Sequence, residues 1–592
     1  MTAADQPGAT TLIERAYYSA SIAEFLASDS DSVLGALTGS SEFDVELAQR
    51  DAWRSEIDFL RSALSTTRGS GHLFLEFVVP RLGRRIDAIV ILHGTIFVLE
   101  FKIGERDFAS RDIDQVWDYA LDLKNFHETS HHVPIRPALV ISGVRGRLLR
   151  GAERHGDSVS EPARLSADCL GAFLQQEVGV TTMALIAADA WQRGKYRPTP
   201  SIVEAASALY RGHSVAEISR SDAGAINLAR TSHAVAEVIR SSREQGRKSI
   251  CLVTGVPGAG KTLVGLNVAT HFQDATNELH SVYLSGNGPL VAILRGALVR
   301  DRVAQAARRG ERQTKRQARQ AVESFIQPVH HFRDECLRDA DPPPEHVTIF
   351  DEAQRAWNVE KTAEFMRQKK GRPGFVQSEP DFLISCLDRH RDWAVIVSLI
   401  GGGQEINTGE AGISEWLEAI ERQYPHWHVY MSPALTDSEY AASDALQRLT
   451  KRTEVVFNED LHLSVSMRSY RAEHVSDFVK KVLDLEATGA ADLYRQFSSR
   501  YPVMLTRSVD RARAWLRSRA RGSERYGIVV SSQAQRLKPH AIDVRAPVDP
   551  VKWFLNGKDD VRASYYLEDV ATEFHVQGLE LDWAAVVWDG DF

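Results

Sequence analysis

Apolar and polar positions change rhythm several times along the chain. Residues 1–70 are polar with helical spacing, and strand-like runs follow from 73 to 103. A helix is predicted near 112–126 and a strand near 135–142. "WQRGKYRPTPS" (191–201) punctuates the pattern as a domain boundary. From 231 a helical pattern leads into "SICLVTG", a buried strand, and strands then alternate with helices to the end. That alternation predicts parallel α/β sheets. "MSPALTDSEYAASD" (431–444) is expected to connect two such α/β units.

The segment "RRIDAIVILHGTIFVLEFKIG" (84–104) places charge at the mouths of two apolar runs joined by His93-Gly94. With His-Gly as a two-residue turn, Leu92 pairs with Thr95 and each further pair keeps the same number sum. Asp87 then faces Glu100. Two like charges in register destabilise a hairpin unless a cation sits between them, and magnesium accepts such hard oxygen ligands. Period two puts Lys102 on the face of Glu100. This set suits phosphodiester hydrolysis, with metal-activated water and the lysine as a further electrophile or orienting group. On the following helix Gln115 and Tyr119 are i and i+4, hence on one face, above an apolar stripe of Val116, Ala120 and Leu123. Glu76, an acid inside "LFLEFVVP", is a further candidate metal ligand. Asp87, Glu100-x-Lys102 and Gln115-xxx-Tyr119 resemble the D…ExK…QxxxY pattern of restriction-endonuclease-like nucleases of the RecB-type branch, over roughly 70–145. That resemblance implies a PD-(D/E)xK nuclease domain.

"GVPGAGKT" (255–262) fits GxxxxGK[ST] between a strand and a helix, the context the motif requires. Backbone N–H groups around Gly255, Gly258 and Gly260 are suited to cradle phosphates at a helix amino terminus. Lys261 is placed to reach the β/γ-phosphates and Thr262 to hold magnesium. A second strand, "HVTIF", ends in "DEAQRAW", where Asp351 can hold magnesium and Glu352 can polarise the attacking water. Gln404, at the end of "WAVIVSLIGGGQEIN", sits where a γ-phosphate sensor belongs. Together these resemble superfamily 1 helicases of the Schlafen-group DNA/RNA helicase type, over about 225–592. By that resemblance "YLSGNGPL" (283–290) corresponds to motif Ia, touching single-stranded nucleic acid. "LSVSMRSY" (463–470) corresponds to motif IV, with Arg468 as arginine finger. "TEFHVQGLELDWAAVVW" (572–588) corresponds to motif V, with Glu580 near the ribose and Gln577-Gly578 near the backbone. The family's motif VI has no counterpart before "WDGDF", which implies slow hydrolysis and no unwinding by residues 1–592 alone.

Composition narrows the picture less. A chain of 592 residues exceeds one core and implies three to four domains. A net charge of -8 argues against a wholly basic nucleic-acid coat but not against a local basic groove. Arg308, Arg312, Lys315 and Arg319 are expected on one helical face, suited to phosphate, and Arg367, Lys369, Lys370 and Arg372 form a second patch. Trp357 is a candidate for stacking a base or for core packing. Four separated cysteines without a CxxC pair fit a reducing cytoplasm. The stretch "MTAADQPGATTLIERAYYSA" has no basic segment followed by an apolar core, and no run of about 18 uncharged apolar residues occurs, so neither secretion nor membrane spanning is expected.

These observations predict an α/β chain. A restriction-endonuclease-like domain (1–200) precedes two RecA-like P-loop lobes (215–445 and 446–592), the second incomplete at its carboxyl end. The expected activity is an ATP- and magnesium-dependent nuclease–helicase or translocase on DNA, single-stranded or tailed duplex, with a role in antiphage defence or repair by analogy. A nucleotide-gated nuclease switch without unwinding, an RNA-directed nuclease and a non-enzymatic scaffold stay open, as does a partner protein or oligomer.

Overall fold

The computed structural model describes residues 15–40, 47–67, 70–79, 84–152, 155–177, 186–196, 201–212, 222–256, 258–272, 280–401, 410, 412–436, 443–452, 454–464, 470–498 and 501–590. Two compact units emerge: Met1–Pro198 with Arg519–Glu524, and Thr199–Ser518 with Arg525–Phe592.

The first unit is built on a seven-stranded mixed sheet. Its strands are β1 (Ala16–Ser21), β2 (Gly71–Val79), β3 (Arg84–Leu92), β4 (Thr95–Lys102), β5 (Ile135–Ile141), β6 (Leu148–Leu149) and β7 (Ala163–Ser166), in the order β1-β2-β3-β4-β5-β7-β6. β1 to β4 run antiparallel, whereas β4, β5 and β7 are parallel. A parallel neighbour needs a crossover, and helix α2 (Ser110–Phe126) supplies it between β4 and β5. Helix α1 (Leu47–Ser65) packs on the opposite face with Trp53, Ile57 and Leu60. Both faces are therefore covered, which is why β3 and β4 are almost continuously apolar. His93 and Gly94 both have positive φ, 48° and 78°, the turn that matches strand twist. The pairs run from Leu92↔Thr95 to Ala88↔Leu99, the register expected from the sequence. The first 70 residues were expected to be helical, yet β1 is a strand pairing with β2. Its half-polar "AYYSAS" sits at a sheet edge, where alternation is weakly enforced.

The second unit holds an eight-stranded, all-parallel sheet. Its strands are β8 (Lys248–Gly255), β9 (Ser281–Ser285), β10 (Ile326–Pro328), β11 (Val347–Asp351), β12 (Ala394–Gly401), β13 (His428–Met431), β14 (Val455–Phe457) and β15 (His462–Leu463). Their order is β10-β9-β11-β12-β8-β13-β14, with β15 on β8. Helices α3 (Asp222–Glu244), α4 (Lys261–His271), α5 (Gly288–Arg308), α6 (Lys315–Glu323) and α7 (Glu379–Asp388) belong to this unit. The sheet continues past residue 445, because β14 pairs with β13 and β15 with β8. Residues 431–444 thus connect strands of one sheet rather than two separate α/β lobes. A smaller parallel sheet, in the order β17-β16-β18, contains β16 (Tyr526–Val530), β17 (Ala571–Thr572) and β18 (Trp583–Val587). No described helix is long and apolar enough to cross a membrane.

Candidate active sites

In the first unit the β3–β4 ladder stops one pair short of Asp87 and Glu100. The next rung is made by a side chain: the Phe101 N–H donates to Asp87 Oδ2 at 2.7 Å. Glu100 is almost fully buried, and its Oε1 accepts from Lys102 Nζ at 2.7 Å and Gln115 Nε2 at 2.8 Å. Gln115 Nε2 also reaches the Tyr119 hydroxyl at 3.0 Å. Asp87, Glu100, Lys102, Gln115 and Tyr119 are thereby brought to one place. Glu100 Oε2 is buried with no hydrogen-bond partner. A buried, unsatisfied carboxylate oxygen is costly unless a proton or a cation takes it.

Glu76 joins this neighbourhood with both oxygens engaged. Oε1 accepts from Trp53 Nε1 at 2.7 Å and Oε2 lies 2.8 Å from Arg85 Nε. Its backbone has φ of 51°, an uncommon conformation for glutamate. Such held strain concentrates at functional sites.

The sequence reading missed Glu56. It lies on the buried side of α1, and burial, then Glu76 and Glu100, push its carboxyl up to about 8. Burial, then Glu100 and Glu56, raise Asp87 well above the usual range. Glu100 is raised chiefly by burial, against the opposing pull of Lys102. Burial opposes the charge on Lys102, but Glu100 and Asp87 outweigh it and raise its pKa. The signal for Glu56 was available: in "WRSEIDFL" it shares helical spacing with Trp53 and Leu60. Glu56, Glu76, Asp87 and Glu100 thus gather near one lysine, with Asp87 and Glu100 as the hard-oxygen pair suited to a divalent cation.

In the second unit the phosphate loop joins β8 to α4. Gly258 and Gly260 have φ of 74° and 90°, backbone that side chains rarely adopt. Gly255 lies against Leu463, whose Cβ would sit 2.7 Å from an added Cβ. Lys261 Nζ donates to the carbonyls of Gly255 at 2.8 Å and Val256 at 3.2 Å. Thr262 Oγ1 donates to Asp351 Oδ2 at 3.1 Å, and the buried Tyr283 hydroxyl donates to the same oxygen. Burial, then Glu352, push Asp351 up to about 6.

Glu352 follows with φ of 55°, and its Oε2 accepts from Gln354 Nε2 at 2.6 Å. Gln354 Oε1 in turn accepts from the Gly401 N–H at 3.0 Å, tying the end of β11 to the end of β12. Tyr283 and Gln354 were not singled out from sequence. Their roles come from strands adjacent in space but distant in the chain.

Asn287 caps α5 through Oδ1, and its Nδ2 donates to the Gln577 carbonyl at 2.7 Å. The segments resembling motifs Ia and V therefore touch. Glu580 is exposed beyond that contact. Gln404 and Arg468 lie outside the described residues. The expected single basic face does not form: α5 ends at Arg308, Gly310 turns with φ of 72°, and Thr314 caps α6 anew. Arg308, Arg312, Lys315 and Arg319 are thus spread over two helices and a turn. Trp357 is half-buried, with the Arg333 guanidinium 5.3 Å and the Lys361 ammonium 5.1 Å from its ring centre. In the second patch Lys370 pairs with Asp334 and Arg372 donates to the Leu337 carbonyl.

Residues 248–592 match the sequence model of the Schlafen group 3, DNA/RNA helicase domain. No curated protein matches the chain. Among solved structures, the Pyrococcus furiosus Hef helicase domain is similar at 13% identity, over 60% of this chain and 88% of that one, with a TM-score of 0.22.

Proposed function

We propose, from the premise that this chain belongs to the Schlafen group 3, DNA/RNA helicase domain family, that it is a nucleic-acid-dependent ATPase of helicase type joined to a magnesium-dependent nuclease. The motor half rests on the family and on the phosphate loop facing Asp351 across Thr262. Lys261 and the backbone of 255–262 would hold the nucleotide phosphates, with Thr262 and Asp351 holding magnesium. Magnesium-bound ATP supplies the phosphoryl group and its charge neutralisation. Glu352 acts as the general base, its carboxylate steadied by Gln354. Through Gly401, Gln354 carries changes at Glu352 to the end of β12. The Asn287–Gln577 contact joins the nucleic-acid-facing segments resembling motifs Ia and V.

The nuclease half rests on one observation: Glu100 Oε2 is a buried acceptor without a donor, while Lys102 and Gln115 fix the other oxygen. Glu100 and Asp87 would hold magnesium, with Glu56 beside them and Glu76 as a brace through Trp53 and Arg85. Magnesium there supplies Lewis acidity and a more acidic water. Lys102, pre-oriented on Glu100, is placed to meet a phosphoryl oxygen as negative charge develops. DNA, single-stranded or tailed, is the proposed substrate. The deciding experiment is a magnesium-dependent digestion panel of DNA and RNA, each with and without ATP. Cleavage that needs Glu100 supports the reading, and preferential RNA loss moves the substrate to RNA. No magnesium-dependent cleavage of either polymer removes the nuclease half.

A further inference from the structure

All strands of the eight-stranded sheet are parallel, so the edge opposite Gly255 and Asp351 gathers their amino ends. There, one side-chain ligand atom each from His346, His390 and Asp392 lies within 4.8 Å of the other two. No other three histidine, cysteine or acidic residues among the described residues meet so closely. His346 immediately precedes β11, and Asp392 stands just before β12. His390 is buried in the connection from α7.

The ring chemistry suits a ligand set. His390 Nε2 donates to the Glu345 carbonyl at 3.2 Å, which leaves Nδ1 as the lone-pair nitrogen. That second hydrogen bond is the usual support of a metal-bound imidazole. His346 lies with its ring alongside that of His390. Its Nε2 lies 3.4 Å from Asp392 Oδ2. That separation is long for a charge-assisted hydrogen bond. It matches the edge of a tetrahedral zinc site, about 3.4 Å for metal–ligand bonds of about 2.0–2.1 Å. Trp393 stacks on His346 with centroids 4.7 Å apart, and the two imidazoles are 4.1 Å apart, so both rings are held. The nearby Lys248 charge is neutralised by Asp388 at 2.8 Å.

We propose that His346, His390 and Asp392 form a site for a zinc-class divalent ion, two nitrogens and one carboxylate oxygen with water completing the tetrahedron. Such an ion clamps the connection between α7 and β12 to the start of β11, the strand whose other end carries Asp351. It acts as a structural brace on the motor sheet, remote from the phosphate loop.

Equilibrium dialysis of the EDTA-stripped full chain against zinc chloride tests this, in excess magnesium to saturate the hard-oxygen sites. Wild type should retain one more zinc per chain than Asp392→Asn. Asp392 is exposed, so this change leaves folding intact. His390→Asn should lose the same equivalent, and zinc affinity at the site should fall at least about tenfold in either variant. Zinc should also slow amide exchange across residues 389–395 in wild type but not in Asp392→Asn. Magnesium-dependent ATPase should be unchanged in Asp392→Asn. Equal zinc retention by wild type and Asp392→Asn, an adventitious ion only, would overturn the proposal, as would zinc-independent exchange in wild type.

Discussion

Glu56 gives the first unit a pH dependence of definite sign. Its carboxyl is raised from 4.5 to about 8 by burial and by Glu76 and Glu100. A group protonated more readily when folded gives its full stability below the unfolded value and loses it as pH climbs through the folded value. Between those limits the loss is about 1.4 kcal/mol per pH unit for each such proton. The upward shifts of Asp87 and Glu100 add slope of the same sign. Urea unfolding followed by amide exchange in 71–102 should show stability falling between about pH 5 and about pH 8. Glu56→Gln should remove one proton's share of that slope, and magnesium should flatten it, because metal ligands are ionised. A pH-independent profile would contradict the buried cluster. At the other site, Lys261→Ala should lose ATP affinity. Glu352→Gln should retain affinity and lose turnover by about 10²–10⁴. ATP binding by fluorescence and steady-state ATPase rates separate the two effects.

Among the elements, the segment between β9 and α5 joins sheet to sheet. Asn287 both caps α5 and donates to Gln577. Asn287→Asp keeps a good capping oxygen but lacks the amide donor. Stability should change by less than about 1 kcal/mol, since the cap is retained. Nucleic-acid stimulation of ATPase should fall, with basal turnover intact, in rates measured with and without a single-stranded oligonucleotide. Unaltered stimulation would detach that contact from coupling.

The β3–β4 hairpin was legible because His-Gly fixes the turn and the turn fixes the register. Asp87 and Glu100 follow from that register. The phosphate loop was legible because its glycines must take positive φ, as Gly258 and Gly260 do. Glu56, Tyr283 and Gln354 were hidden because their roles depend on which helix or strand packs alongside. The extension of the large sheet to β14 and β15 was hidden too. These strands are three and two residues long and carry too little pattern to announce themselves.

At the scale of the whole chain, two magnesium chemistries are proposed on separate compact units. The carboxylates of one share no residue with the phosphate loop of the other. Each site can therefore be silenced alone, and the crossed variants reveal whether the activities are linked. Glu100→Ala removes both the oxygen held by Lys102 and Gln115 and the unpartnered Oε2, so cutting should be abolished. ATPase and its nucleic-acid stimulation should stay within about twofold, because sites without shared partners behave additively. Lys102→Ala should give the same pattern, because the ammonium is lost while Asp87 and Glu100 remain. Lys261→Ala leaves the first unit untouched. If nucleotide binding licenses cleavage, Lys261→Ala should suppress digestion in the presence of ATP down to the ATP-free level. Glu352→Gln, which binds but turns over slowly, then distinguishes two couplings. Cleavage retained in Glu352→Gln with ATP means that binding suffices and the motor unit acts as a switch. Cleavage lost in both variants means that turnover feeds substrate to the nuclease. Digestion of a tailed duplex, followed on a denaturing gel with ATPase measured in parallel, reads all four variants against wild type in one experiment. Full cutting by Glu100→Ala would remove the nuclease assignment while leaving the motor assignment standing.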